Sequence, residues 1–281
     1  MNMAKLIIMA GGASSRMKRS IETSELTPET KKIASSAHKS LIPLGPKQKP
    51  LLFHLIQNAV NAGFKEVYLI TSPENEAFKE YVGSALKNNL FAGALVHYAL
   101  QYLPQGRNKP LGTADAVQQA LEQYPELKNE FVTICNADNL YSVHAFRLLL
   151  APRDTPHALI SYNRSSLNFS TARISSFAIM DISEEGYLQN IIEKPDPETV
   201  RNYENTSDHI GVSMNIFSFE GALLFPYLKN CPLNLDRNEK ELPQAVRMMI
   251  EEPKNKIRCF KVSEHLPDLT SAEDLKNFSK L

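Results

Sequence analysis

Little in this chain is in excess. Its 31 Lys and Arg residues balance 31 Asp and Glu, and no basic stretch is dense enough to follow a phosphodiester backbone, so nucleic acid is not an expected partner. Only three cysteines occur, Cys135, Cys231 and Cys259, without CxxC spacing. That argues against a disulfide framework and structural zinc and fits a reducing, cytoplasmic setting. Long apolar runs are missing as well. The N-terminal one, in KLIIMA, is far shorter than a signal-peptide core or a membrane span, and none later is longer; a soluble protein with no membrane partner is expected. The seven histidines form no HxxxH or HxxE pair and are read as packing or surface residues.

What is present begins with a glycine turn. KLIIMA reads as a buried strand and breaks into GGASSRM, where backbone N–H groups can converge on an anion. A P-loop is excluded, because Gly12 is followed by Ala13, Ser14, Ser15 and Arg16 rather than by Lys and Ser or Thr. A dinucleotide fingerprint is excluded too, since the next glycine is Gly45. From this turn alone, a phosphate cradle and a tight turn without a ligand both remain open.

With 281 residues the chain has the length for a single large α/β domain. The polar stretch KRSIETSELTPETKKIASSAHK has almost no apolar periodicity and reads as a mobile surface loop with one helical turn. PLLFHLIQNAVNAGF sets Leu51, Leu52, Leu55, Ile56, Ala59 and Val60 on one helical stripe with Gly63 as C-cap. Strand and helix then alternate: EVYLIT, NEAFKEYVGSAL, ALVHYAL, TADAVQQALEQY and FVTICNAD. This predicts an α/β fold with a mainly parallel sheet. Between about residues 157 and 220 the strand-like segments HALISYN, SSFAIMDIS, LQNIIEK and IGVSMNIFSF follow with few helices, so an antiparallel extension of the sheet is expected. Two helices, EGALLFPYLKN and EKELPQAVRMMIEE, the strand KIRCFKV and a helix capped by Ser271 and Asp274 complete the chain.

Ligands of open α/β sheets bind beyond the carboxyl ends of the strands. In that position stand Gly11, Gly12 and Arg16; Gln101 and KPLGTADAV; Asp138; and Glu193 with Lys194. A carboxylate at the end of an apolar strand, as at Asp138, is costly unless a cation or hydrogen bonds receive it; an ordinary Asp-Asn turn is the alternative.

MAGGASSRM, HKSLIPLGPKQKPLLFHLIQNAVNAGFKEVYLIT, KPLGTADAV, CNADN, IIEKP and PDLTSAEDL occur in this order, and over essentially the whole chain it resembles the sugar-1-phosphate nucleotidylyltransferases, or NDP-sugar pyrophosphorylases. The resemblance implies a three-layer α/β/α sandwich with a mixed, mainly parallel sheet, the nucleotide-diphospho-sugar transferase fold, as one domain with the 157–220 extension serving the sugar. It implies the reaction of an NTP with a sugar 1-phosphate, assisted by Mg²⁺. Gly11, Gly12, Ala13, Ser14 and Ser15 would hold the triphosphate, and Gln101, Gly112 and Thr113 the nucleoside, with UTP or dTTP favoured because an amide offers a donor and an acceptor to a pyrimidine. Arg16, Lys39 and Lys194 would be the catalytic cations, Asp138 and Asp268 the metal carboxylates, and Glu193 and Asn215 the sugar contacts. His38 stands where common members carry proline, and Asn215 lies in a run, VSMNIFSF, that departs from the family's usual Asn-Ala-Gly-Ile-Tyr. A homo-oligomer is left open. A non-catalytic nucleotide-sugar-binding regulator of the same fold is the alternative; a glycosyltransferase is disfavoured because NADN lacks the second aspartate of Asp-x-Asp.

Overall fold

A computed structural model describes residues 4–12, 14–22, 24, 28, 31, 34–35, 38–193, 195–206, 208–279 and 281, without the side chains of residues 22, 205 and 206. Its central sheet has ten strands. β1 (Lys5–Met9) lies between β4 (Glu66–Thr71) and β7 (Phe131–Asn136), parallel to both, and β6 (Ala94–Leu100) runs parallel to β4 on its far side. A separate two-stranded hairpin, β2 (Pro43–Leu44) with β3 (Lys49–Pro50), precedes the helix Leu51–Ala62.

The alternation of side chains in β1 explains the layers. Leu6 and Ile8 pack into one core with Leu52, Leu55 and Ile56 of the helix Leu51–Ala62 and Phe146 of the helix Val143–Leu150. Ile7 packs into the other with Val117 and Leu121 of the helix Thr113–Gln123, Leu224 of Gly221–Asn230 and Val246 of Leu242–Ile250. Helices therefore cover both faces of the sheet, the three-layer arrangement that the family resemblance implies.

In the second half, β8 (His157–Asn163), β9 (Ile179–Ile182), β10 (Leu188–Ile192) and β11 (Gly211–Glu220) extend the same sheet. β11 runs antiparallel to β7, β8 and β9, and β10 antiparallel to β9. β12 (Ile257–Val262) closes this edge parallel to β8.

Several elements differ from the sequence reading. The helix Ser15–Glu22 runs into the stretch read as a loop, because Met17 and Ile21, four apart, are both buried against the C-terminal segment at Ala272 and Phe278. The remainder of that stretch lies largely outside the described residues. The helix expected over NEAFKEYVGSAL ends at Val82, since Gly83 turns to φ +137°. The short strand β5 (Asn89–Phe91) pairs antiparallel with β6, and the helix Pro197–Thr206 intervenes between β10 and β11, its first turn capped by Asp196, which accepts from the Thr199 amide at 2.7 Å. Ser271 and Asp274 do form a capping box, but it opens a 3₁₀ segment, Ala272–Phe278. Among the described residues no helix is long and apolar enough to cross a membrane, and all three cysteines are free and buried.

Candidate active site

The carboxyl ends of β1, β4, β6 and β7 open into a cavity of about 530 Å³. Of the residues singled out in the sequence, Gly11, Gly12, Ser14, Ser15, Arg16, Lys39, Gln101, Gly112, Thr113 and Asp138 all line it. Ala13 and Lys194 lie outside the described residues. Asp268, Glu193 and Asn215 are not in the wall. A second cavity, about 520 Å³, sits at the amino ends of β1 and β7 beside Phe131 and Arg153, with none of these residues around it.

The glycine turn leads straight into a helix. Ser14 adopts φ +54°, a left-handed conformation uncommon for serine, and its hydroxyl accepts a 3.2 Å hydrogen bond from the Lys39 amide. That bond ties the turn to the segment carrying Lys39, whose ammonium pairs with the Asp138 carboxylate. Burial, reinforced by the Lys39 charge, lowers the neighbouring His38 ring to about 4. It is therefore neutral near pH 7, and Nδ1 faces the Ser40 hydroxyl at 2.8 Å. His38 thus serves as the cap of the short turn Lys39–Leu41.

Asp268 reaches the site through the backbone. Leu269 donates to the Asp138 carbonyl at 2.8 Å, Leu140 donates to the Pro267 carbonyl at 2.9 Å, and Asn139 bridges Asp268, so the two loops run side by side. Burial and then the Asp138 charge push the Asp268 carboxyl above its usual range, against the pull of Arg173. Arg173 donates to Asp268 and to Asp274 at 2.6 Å each, and the Thr270 hydroxyl donates to Asp268 at 2.9 Å. Sequence reasoning missed Arg173 and Thr270; the STARIS segment carries no signal that its arginine meets carboxylates about a hundred residues away. Lys109, Arg19 and Glu239, also passed over, line the cavity. The Asp138 and Asp268 carboxylates, paired here with Lys39 and Arg173, are the hard oxygen donors that a cation such as Mg²⁺ takes, one or two at a time, together with phosphate oxygens.

On the opposite wall, Gln101 is buried and donates through Nε2 to the Gly112 carbonyl at 3.0 Å and to Asp115 at 2.9 Å. The Thr113 hydroxyl accepts from the Leu242 amide at 2.9 Å. The donor side of Gln101 is therefore spent within the protein, unlike the two-sided amide expected from sequence. Glu193 is exposed just after β10. Asn215, at φ +54°, lies where the β11–β8 register shifts, and its carbonyl is 3.3 Å from the Tyr141 hydroxyl, which donates to Met214 at 2.6 Å. Tyr141 thus links the loop after β7 to the β11 irregularity.

The glycine turn, the Lys39 ammonium and the Asp138 carboxylate, gathered at strand ends, give this α/β protein a polar cavity suited to an anionic ligand. The chain belongs to the nucleotidyl transferase family, whose model matches residues 5–274. It is similar to a glucose-1-phosphate adenylyltransferase of Methylococcus capsulatus (strain Bath), 27% identical over 226 residues, covering 79% of this chain and 48% of that one. The chain thus spans about half the length of that curated relative. It shares its fold with a UDP-glucose pyrophosphorylase solved with UDP-glucose (TM-score 0.68, 16% identity, covering 99% and 97% of the two chains). It also shares it with a Bacillus anthracis protein described as a glucose-1-phosphate thymidylyltransferase, solved with sucrose (TM-score 0.67, 17% identity, 98% and 94%). These likenesses give the nucleotide-diphospho-sugar transferase fold.

Proposed function

We propose that the protein joins a nucleoside triphosphate to a sugar 1-phosphate, releasing pyrophosphate and forming an NDP-sugar, as a cytoplasmic enzyme. The observation that carries this reading is the convergence of Gly11, Gly12, Ser14, Ser15, Arg16, Lys39 and Asp138 in one cavity, with the Asp268 loop hydrogen-bonded to the Asp138 carbonyl through Leu269. The reaction sets one phosphate to attack another, so mutual repulsion is its main obstacle. Gly11 to Ser15 cradle the triphosphate through backbone amides, and Arg16 pairs with the departing pyrophosphate through its planar fork. Lys39 contacts the phosphates from the far side once they compete with Asp138 for its ammonium. Asp138 and Asp268 would hold Mg²⁺, which would supply positive charge to the phosphates when bound. Lys194 fixes the sugar phosphate, with Glu193 and Asn215, in the 157–220 extension, on the sugar hydroxyls. No protein base is needed, because the attacking phosphate is already ionised.

Gln101, Gly112 and Thr113 bound the nucleoside side, and UTP or dTTP is the favoured substrate: an imide N3–H suits the one free acceptor of Gln101. The test is pyrophosphate release over a grid of NTPs and sugar 1-phosphates with Mg²⁺. Release with at least one pair supports the reading; binding of NDP-sugars without release from any pair replaces the enzyme by a regulator.

A further inference from the structure

We infer that Asp115 determines which base the cavity accepts, by fixing the orientation of the Gln101 amide. The inference rests on the reading above that a nucleotide base occupies this wall. The Gln101 side chain has two amide hydrogens, and both are used: one on the Gly112 carbonyl at 3.0 Å, one on Asp115 Oδ2 at 2.9 Å. The opposite orientation would set Oε1 against a carbonyl and a carboxylate, two groups that only accept, so it is excluded by charge. Oε1 is left as the polar atom facing the ligand side. It stands 3.1 Å from where a Cβ on Gly11 would be, directly beside the phosphate turn.

Asp115 is itself pinned. Its Oδ2 also accepts from Gln119 at 2.9 Å, and Gln119 is clamped to the backbone of Tyr102, donating at 3.1 Å and accepting at 2.8 Å. The carboxylate sits in the first turn of the helix Thr113–Gln123, where the helix dipole favours negative charge. A chain of fixed partners thus runs from the helix through Asp115 to Gln101, and Asp115 is a positioning residue that need not touch the nucleotide.

The consequence separates uracil from cytosine. Uracil presents an N3–H donor where cytosine presents a bare N3 acceptor, on rings of the same size. A locked Oε1 accepts from the first and repels the second; an amide free to turn serves either.

The test measures dissociation constants of UTP and CTP with Mg²⁺ by calorimetry on the full chain. Wild type is expected to prefer UTP by at least about 30-fold, because a buried group left unpaired is strongly selected against. Asp115→Leu, which leaves the neutral Gly112 carbonyl as the amide's one partner and removes the negative charge that bars the turned amide, should cut this ratio at least about tenfold. Asp115→Asn, whose carbonyl still accepts from both glutamines, should keep it within about threefold and controls for folding. In a Gln101→Met background, Asp115→Leu should leave the ratio within about twofold, which a merely structural role would not predict. A wild-type ratio near one, an unchanged ratio in Asp115→Leu, or an equal drop in both backgrounds overturns the inference. Pyrophosphate release, read separately, reports on the proposed reaction: a UTP preference that depends on Asp115 without turnover supports the inference and rejects that reaction.

Discussion

Gly112→Ala puts the nucleoside wall to a direct test. Gly112 has φ +118° and ψ −176°, a conformation open essentially to glycine alone, so any side chain costs about 1–3 kcal/mol in backbone strain. An added Cβ would overlap the Lys240 carbonyl oxygen and lie 2.8 Å from the Lys240 nitrogen and 2.9 Å from its carbonyl carbon. Lys240 has little room to yield, because its amide donates to Leu111 at 2.6 Å and its carbonyl accepts from Ala114 at 3.0 Å. Overpacking of this kind costs a further 1–3 kcal/mol or so, for a total of about 2–6 kcal/mol. Since the Gly112 carbonyl also holds the Gln101 amide, the displacement should weaken nucleotide binding as well. Urea unfolding and UTP calorimetry read the two effects. A loss below about 1 kcal/mol with unchanged affinity would refute both the strain argument and the link from Gly112 to Gln101.

Asp138→Asn should lower turnover more than tenfold at unchanged circular dichroism, because it removes charge but keeps volume; a smaller loss, under about 1.4 kcal/mol in the barrier, would remove Asp138 from the metal role. Arg173→Leu strips the partner from two largely buried carboxylates, Asp268 and Asp274, and should cost about 3–5 kcal/mol in urea unfolding; a loss within 1 kcal/mol or so would show that Arg173 holds neither. His157 is fully buried with neither ring nitrogen partnered, and burial followed by the Arg153 charge lowers it from an ordinary 6.5 to about 4. The unfolded ring therefore binds a proton that the folded one refuses between those values. Unfolding free energy should fall by up to about 3 kcal/mol as pH drops through that window, and His157→Phe should flatten the fall; an unchanged pH slope in the variant would contradict this.

Most strands were legible because burial on two faces leaves continuous apolar runs, as in Leu6 to Ile8 and Val67 to Ile70, and Gly63 marked its helix end by chemistry that the structure repeats at φ +126°. Nothing in the sequence pattern marks β5, whose three residues carry no period, and the helix Val143–Leu150 went unmarked as well. The site was legible where a residue follows a strand directly, as with Gly11, Gln101 and Asp138. It was illegible where partners come from distant segments: Arg173 meets Asp268, and Lys240 seals Gly112. Asp115 read simply as one position of the helix in TADAVQQALEQY, because an orienting role appears only when the Gln101 amide is seen to have no hydrogen left.

The central claim is a transfer between two bound substrates. Purified protein given UTP, a sugar 1-phosphate it accepts and Mg²⁺ should form NDP-sugar and pyrophosphate in equal amounts, with neither appearing when the sugar phosphate is omitted or in Asp138→Asn. Pyrophosphate release that continues without the sugar phosphate, or NDP-sugar formation undiminished in Asp138→Asn, would contradict the account.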